Sequence, residues 1–151
     1  MSSFKQGRTV QIATLLAVAL AGGCGGSGAS PTREKEISHV GAITTLFFRA
    51  TSTLAKPPAN EQEFKEAIAR DNVDPGVLGV GSVDELFTSD RDGKPLIILY
   101  GPAPKGVAAG IVVYEQEGLN GVRLVGSSNG QIQEADAATF AKLVPQPATP
   151  Q

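Results

Sequence analysis

Cys24 is the only cysteine of the chain and His39 the only histidine, so thiol or imidazole chemistry would rest on one residue of each type. Ser128 sits within Gly126-Ser127-Ser128-Asn129-Gly130, the Gly-x-Ser-x-Gly spacing of a serine nucleophile on a sharp strand-to-helix turn. That chemistry needs an acid and a histidine further along the chain, whereas His39 precedes the serine. Asn-Gly is a strong hairpin signal, and Gln131-Ile132-Gln133 reads as a strand, so the pentapeptide is read as a reversing turn. His39 lacks the companion ligands of a His/Cys zinc site and is read as a half-exposed residue early in a helix. Asp90-Arg91-Asp92-Gly93 has the alternate carboxylates of a calcium loop. However, Lys94-Pro95-Leu96 supplies neither the third oxygen nor the closing glutamate. A tight turn in which Asp accepts from backbone N–H groups explains it more simply. Gly79-Val80-Gly81 lacks the preceding strand and the third glycine of a dinucleotide site. No catalytic residue, metal site or cofactor site emerges, and the site residue that remains is Cys24.

Ahead of Cys24 stand Lys5 and Arg8, a mostly apolar run from Thr9 to Leu20, and Ala21-Gly22-Gly23. A positive start, a short apolar stretch and small residues before a cut describe an export signal. The run carries Gln11 and Thr14 and falls short of the roughly 20 apolar residues that span a bilayer. Leu20-Ala21-Gly22-Gly23-Cys24 resembles the lipobox of bacterial lipoproteins cut by signal peptidase II, with Ala21 where that family usually has Leu. The resemblance covers residues 1–24 and implies a diacylglyceryl group on the Cys24 sulfur, often with a further acyl chain on the new amino terminus. Each buried methylene contributes about 0.8 kcal/mol and stable anchoring takes more than one chain, so lipid on Cys24 implies a firm membrane partner. Gly25 stands where Asp would resemble an inner-membrane retention signal, which favours the outer membrane.

Four segments follow: a signal peptide (1–23), a Gly/Ser linker (24–32), one domain (33–144) and a Pro-rich tail (145–151) expected to stay unpacked. The whole chain has a formal net charge of −2. Loss of Lys5 and Arg8 with the leader brings it to about −4, and such a surface excludes nucleic acid as a partner. The lone cysteine leaves no internal disulfide, and the domain is large enough to form a core without one.

Apolar spacing predicts a first helix from Arg33 to Ala55, capped by Thr32, with Ile37, Val40, Thr44, Phe47 and Phe48 on one face. Gly41 weakens its middle, and Pro57-Pro58 ends it. Asn60 opens a shorter second helix with Phe64, Ala67 and Ile68 inward. Pro75 to Gly81 forms a loop with its apolar residues tucked under the domain, and Val83, Leu86 and Phe87 form a helical turn. The period then becomes strand-like. Pro95 to Tyr100, Ile111 to Glu115, Val122 to Val125 and Gln131 to Gln133 read as an antiparallel meander, its turns marked by Asn120-Gly121 and Asn129-Gly130. A last helix runs from Ala135 to Leu143. Helices followed by strands without βαβ alternation make an α+β domain, with Phe47, Phe64, Leu99, Val113 and Phe140 in its core.

A leading helix, a short second helix and Asp90-x-x-Gly93-x-Pro95 entering a meander is similar to the pseudopilins of type II secretion, over residues 33–133. The resemblance implies fold rather than filament membership, because those proteins assemble through an apolar amino-terminal helix that this chain replaces with a lipobox. The function expected is a non-enzymatic, lipid-anchored envelope module, binding or structural, that binds another envelope component or simply occupies the surface. The alternatives are a periplasmic hydrolase working through a carboxylate pair and a pseudopilin-like accessory subunit of a secretion machine.

Overall fold

The computed structural model describes residues 38–145; Cys24, the linker and the residues after Pro145 lie outside them. The first helix, α1 (His39–Leu54), starts after Ser38, which has an extended backbone and whose Oγ accepts the Gly41 N–H at 3.1 Å. Serine in that conformation satisfies a helix-start donor. Ser38 therefore replaces the expected cap, and Thr32 lies outside the described residues. Gly41 consequently belongs to the capped first turn rather than to the middle of the helix. α1 ends at Ala55 in the left-handed region, followed by Lys56-Pro57-Pro58.

α2 (Glu61–Arg70) is capped as expected by Asn60, whose Oδ1 accepts from Glu63 N at 2.9 Å. Glu63 reaches back in turn to the Ala59 N–H at 2.6 Å. This reciprocal arrangement is a box shifted by one residue. Two 3₁₀ turns follow, Pro75–Leu78 and Val83–Phe87. The loop around the first tucks in Val80 but leaves Val77 82% exposed, against expectation. The turn is capped by Asp74 at Gly76 N, and it directs Val77 to solvent.

Four strands form one antiparallel sheet in sequence order: β1 (Ile97–Ile98), β2 (Ile111–Tyr114), β3 (Arg123–Ser127) and β4 (Ile132–Ala135). The first is shorter than expected because Pro95, without an N–H, makes only an isolated bridge to Thr88. The fourth is longer and takes Ala135 from the expected last helix. That helix, α3 (Ala137–Leu143), starts after Asp136, whose carboxylate accepts the Thr139 N–H at 2.7 Å.

Both faces of the sheet are covered, which suits the unbroken apolar sequences of β1 and β2. Leu96, Val112, Val113 and Leu124 pack with Val40, Ile43, Phe47 and Phe64 of α1 and α2. Ile97, Leu99, Ile111, Tyr114 and Val125 pack on the other side with Phe140 and Val144, and Val107 and Ala108 of the Gly101–Gly110 loop close it. Val112 and Val113, though consecutive, serve the same side because the β2–β3 register slips between Ile111 and Val113. One extra residue at such a bulge resets the alternation.

All five expected core residues are buried. Phe64 lies 5.4 Å from Phe47, centroid to centroid, and Tyr114 lies 5.2 Å from Phe140. Phe48, placed on the inward stripe by spacing, is instead 49% exposed, since it falls one step past the rim that Thr44 and Phe47 define. Gly126 of β3 lies directly beneath α1. A Cβ there would stand 1.9 Å from Thr44 Oγ1 and 2.8 Å from Val113 Cγ1, so the helix rests on the sheet through a missing side chain.

Gly126→Ala should accordingly lower the urea midpoint by as much as about 1–3 kcal/mol of overpacking represents. Phe47→Ala should cost about 3–5 kcal/mol. Equilibrium unfolding checks both, and a midpoint unchanged in Gly126→Ala would show that α1 is free to move away.

Candidate functional site

The segment from Thr88 to Pro95 leaves the second 3₁₀ turn and must deliver the chain into β1. Its turn closes with Ser89 N donating to Lys94 O at 2.8 Å and Gly93 N to Ser89 O at 3.0 Å. Asp92 accepts through Oδ1 from Lys94 N at 2.9 Å, and through Oδ2 from Glu117 N at 3.1 Å and Gly118 N at 2.8 Å. The expectation of a tight turn held by aspartate is thus met, and extended: the same carboxylate grips the β2–β3 hairpin. Burial alone would raise the Asp92 pKa. The N–H groups of Gly118, Lys94 and Glu117, with Ser89 Oγ, outweigh it and hold the carboxyl below its ordinary value.

Beneath this turn lies Glu115, fully buried at the end of β2. Its Oε1 accepts from Ser89 Oγ at 2.9 Å, and its Oε2 from Arg91 Nη1 at 3.2 Å and Leu124 N at 2.7 Å. Arg91 also donates to Val122 O at 3.3 Å. A buried carboxylate that keeps its charge needs such a complement of donors. Every donor it takes is structural, leaving no oxygen aimed at an open cleft.

His39 is half-buried at the first position of α1. Its backbone N–H donates to Asp90 Oδ1 at 3.1 Å, and its ring Nδ1 lies 2.5 Å from Thr88 O. A carbonyl only accepts, so Nδ1 carries the proton. The histidine and Asp90 join the start of the helix to the loop and converge on no third ligand. Among the described residues no three His, Cys, Asp or Glu side chains are grouped as metal ligands. Ser128 is exposed at the tip of the β3–β4 hairpin. Gly130 N donates to Ser127 O at 2.9 Å, and Gly130 has a positive φ of 83°. This is a three-residue turn closed by a glycine, as expected of a reversing turn. His39 and Ser128 lie in separate places: one is tied to the 88–95 loop, the other caps a hairpin.

One open depression of about 400 Å³ runs between α2 and the Val83–Phe87 turn, floored by Ile68, Ala69, Val73 and Val83 with Lys65 and Asp84 at its rim. Lys65 Nζ binds Asp84 Oδ1 and Glu61 Oε1, each at 2.7 Å, and sits 4.7 Å over the Phe87 ring. Its hydrogen bonds to Asp84 and then Glu61 raise its pKa. A nucleophilic or basic amine needs the opposite shift, so Lys65 acts here as a fixed cation.

The chain matches no protein-family model, no curated protein and no solved structure. The Ser89–Arg91–Glu115 cluster escaped sequence reasoning. Glu115 follows an apolar run as an ordinary strand-end residue would, and its partner Arg91 is 24 positions away. The available signal was weak: a charged residue immediately after the four apolar residues Ile111 to Tyr114.

Asp92 fixes a pH dependence. Its folded pKa lies below its unfolded value, so its stabilisation is complete above the unfolded value and fades as pH falls through the lower folded one. Unfolding midpoints of the wild type should therefore decline below about pH 4. Asp92→Asn should be less stable at neutral pH and show a shallower acid decline. Parallel acid limbs for the two proteins would refute this role.

Proposed function

We propose that the chain is a lipid-anchored protein of the bacterial cell envelope, and that its domain is a non-enzymatic module that binds or supports another envelope protein. The observation that carries this reading is Cys24, a lone cysteine behind an export signal and in front of Gly25-Gly26-Ser27-Gly28. Acyl chains on its sulfur and on the new amino terminus supply the two hydrophobic signals that stable anchoring takes. Gly25 favours the outer membrane over the inner one.

The chemistry of the described domain supports a binding or structural role. Asp92, Glu63 and Asp136 have lowered pKa values, each held by hydrogen-bond donors, chiefly Lys56 for Glu63 and Thr139 for Asp136. A carboxylate pair working as acid and base needs one member raised towards neutrality. Glu115 is committed on both oxygens, and Lys65 is a paired cation. The likeness of Asp90-x-x-Gly93-x-Pro95 to pseudopilins is a likeness of sequence motif alone and assigns no role.

Cys24→Ser should abolish incorporation of labelled fatty acid, shift the protein from the detergent phase to the aqueous phase, and leave unprocessed precursor. Continued partition into the detergent phase would overturn the lipoprotein reading. A second measurement addresses catalysis. A fluorophosphonate probe should leave Ser128 unlabelled, since its neighbourhood supplies no histidine to take the proton; labelling that Ser128→Ala removes would make the protein a hydrolase.

A further inference from the structure

The chain contains two Asn-Gly dipeptides that are identical as sequence and opposite as structure. Asparagine before glycine can attack itself: the backbone nitrogen of the glycine adds to the side-chain Cγ, and the amide nitrogen leaves as ammonia. Water then opens the resulting succinimide to aspartate or isoaspartate. Glycine favours the step because no Cβ shields its nitrogen. Two things are required of the fold: a glycine N–H that is not donating, and a side-chain amide free to rotate towards it.

At Asn129-Gly130 neither condition is met. The Gly130 N–H donates to Ser127 O at 2.9 Å. The Asn129 amide is held at both ends. Its Oδ1 accepts from Ser127 Oγ at 2.6 Å and from Gln131 N at 3.1 Å, and its Nδ2 donates to Gln131 Oε1 at 3.1 Å. Asn120-Gly121 differs throughout. It forms the two central residues of a two-residue hairpin turn, with φ of 53° and 78°. The turn is closed by Leu119 and Val122, each donating to the other's carbonyl at 3.0 Å. That closure uses neither the Gly121 N–H nor the Asn120 side chain, and both residues are exposed.

We propose that Asn120 is a self-modifying site of this protein, converted by water to aspartate and isoaspartate in the folded state, and that Asn129 is protected. The product matters because of where the turn sits. Isoaspartate adds a methylene to the backbone between the two residues that must close the Leu119–Val122 pair. The same hairpin presents Gly118 N to Asp92 and Val122 O to Arg91. A modified Asn120 therefore loosens the 88–95 loop from its hairpin and adds a negative charge beside Glu117.

The test uses the purified full-length protein in detergent, incubated in mildly alkaline buffer at 37 °C. Peptide mapping by mass spectrometry, with isoaspartate detected by enzymatic methylation, follows both sites. Asn120 should convert at least about tenfold faster than Asn129, the factor that one or two ordinary hydrogen bonds represent in a rate. In concentrated urea the two sites should converge, since the dipeptides are then equivalent. Ser127→Ala, which removes one donor from the Asn129 amide, should speed Asn129 and leave Asn120 unchanged. Equal rates in the folded protein, a faster Asn129, or an Asn120 that converts only in urea would each overturn the proposal.

Discussion

The charge of Glu115 is the constraint on which much of this domain depends. A carboxylate with no exposed surface has to be solvated by the protein itself, and here that takes a hydroxyl and a guanidinium from the 88–95 loop and a backbone N–H from β3. Removing one partner of a buried pair typically costs about 3–5 kcal/mol, a large share of a stability of about 5–15 kcal/mol. The 88–95 loop therefore cannot drift from the sheet without stranding a charge. Once the loop is fixed, Asp92 has the hairpin within reach and Asp90 has the start of α1. A polar cluster thus sets the geometry in a place where apolar packing alone would leave a surface loop free.

Apolar contacts then fill both sides of the sheet, and two backbone irregularities make this possible. The slip in register between Ile111 and Val113 sends two consecutive valines towards α1. Gly126 removes the side chain that would hold the helix away. The glycine that made Ser128 look like a nucleophile within Gly-x-Ser-x-Gly is thus there for packing. The second glycine of the pattern closes a turn. One short motif is accounted for by two unrelated steric needs.

The α+β class, the order of the elements and the five core positions were legible because they follow from periodicity and from Asn-Gly and Pro punctuation. Three kinds of feature were not. Ends of elements depended on which hydroxyl or carboxylate captured a free N–H: Ser38 did so for α1, where Thr32 is the expected cap, and Asp136 for α3, where the helix is expected to begin at Ala135. The exposure of Phe48 and Val77 turned on small rotations that a pattern of residue types does not resolve. The ties of Arg91 to Glu115 and Asp92 to Gly118 join residues more than 20 positions apart, and local spacing carries no information about them. The two Asn-Gly pairs make the same point within one hairpin meander, since identical dipeptides adopt a two-residue turn in one place and a three-residue turn in the other.

In mechanical terms, Ser38 and the start of α1 form a braced corner of the described domain. The first helical residue behind it is fastened twice to the 88–95 loop, by its backbone to Asp90 and by its imidazole to Thr88. That loop is fastened in turn to the β2–β3 hairpin through Asp92 and Arg91. Farther along, the helix is seated on β3 where Thr44 meets Gly126. Tension arriving at Ser38 is therefore divided between a helix, a loop and a sheet before any single turn of α1 can unwind. This corner of the domain takes up strain as a braced joint does, through several short ties that must give way together.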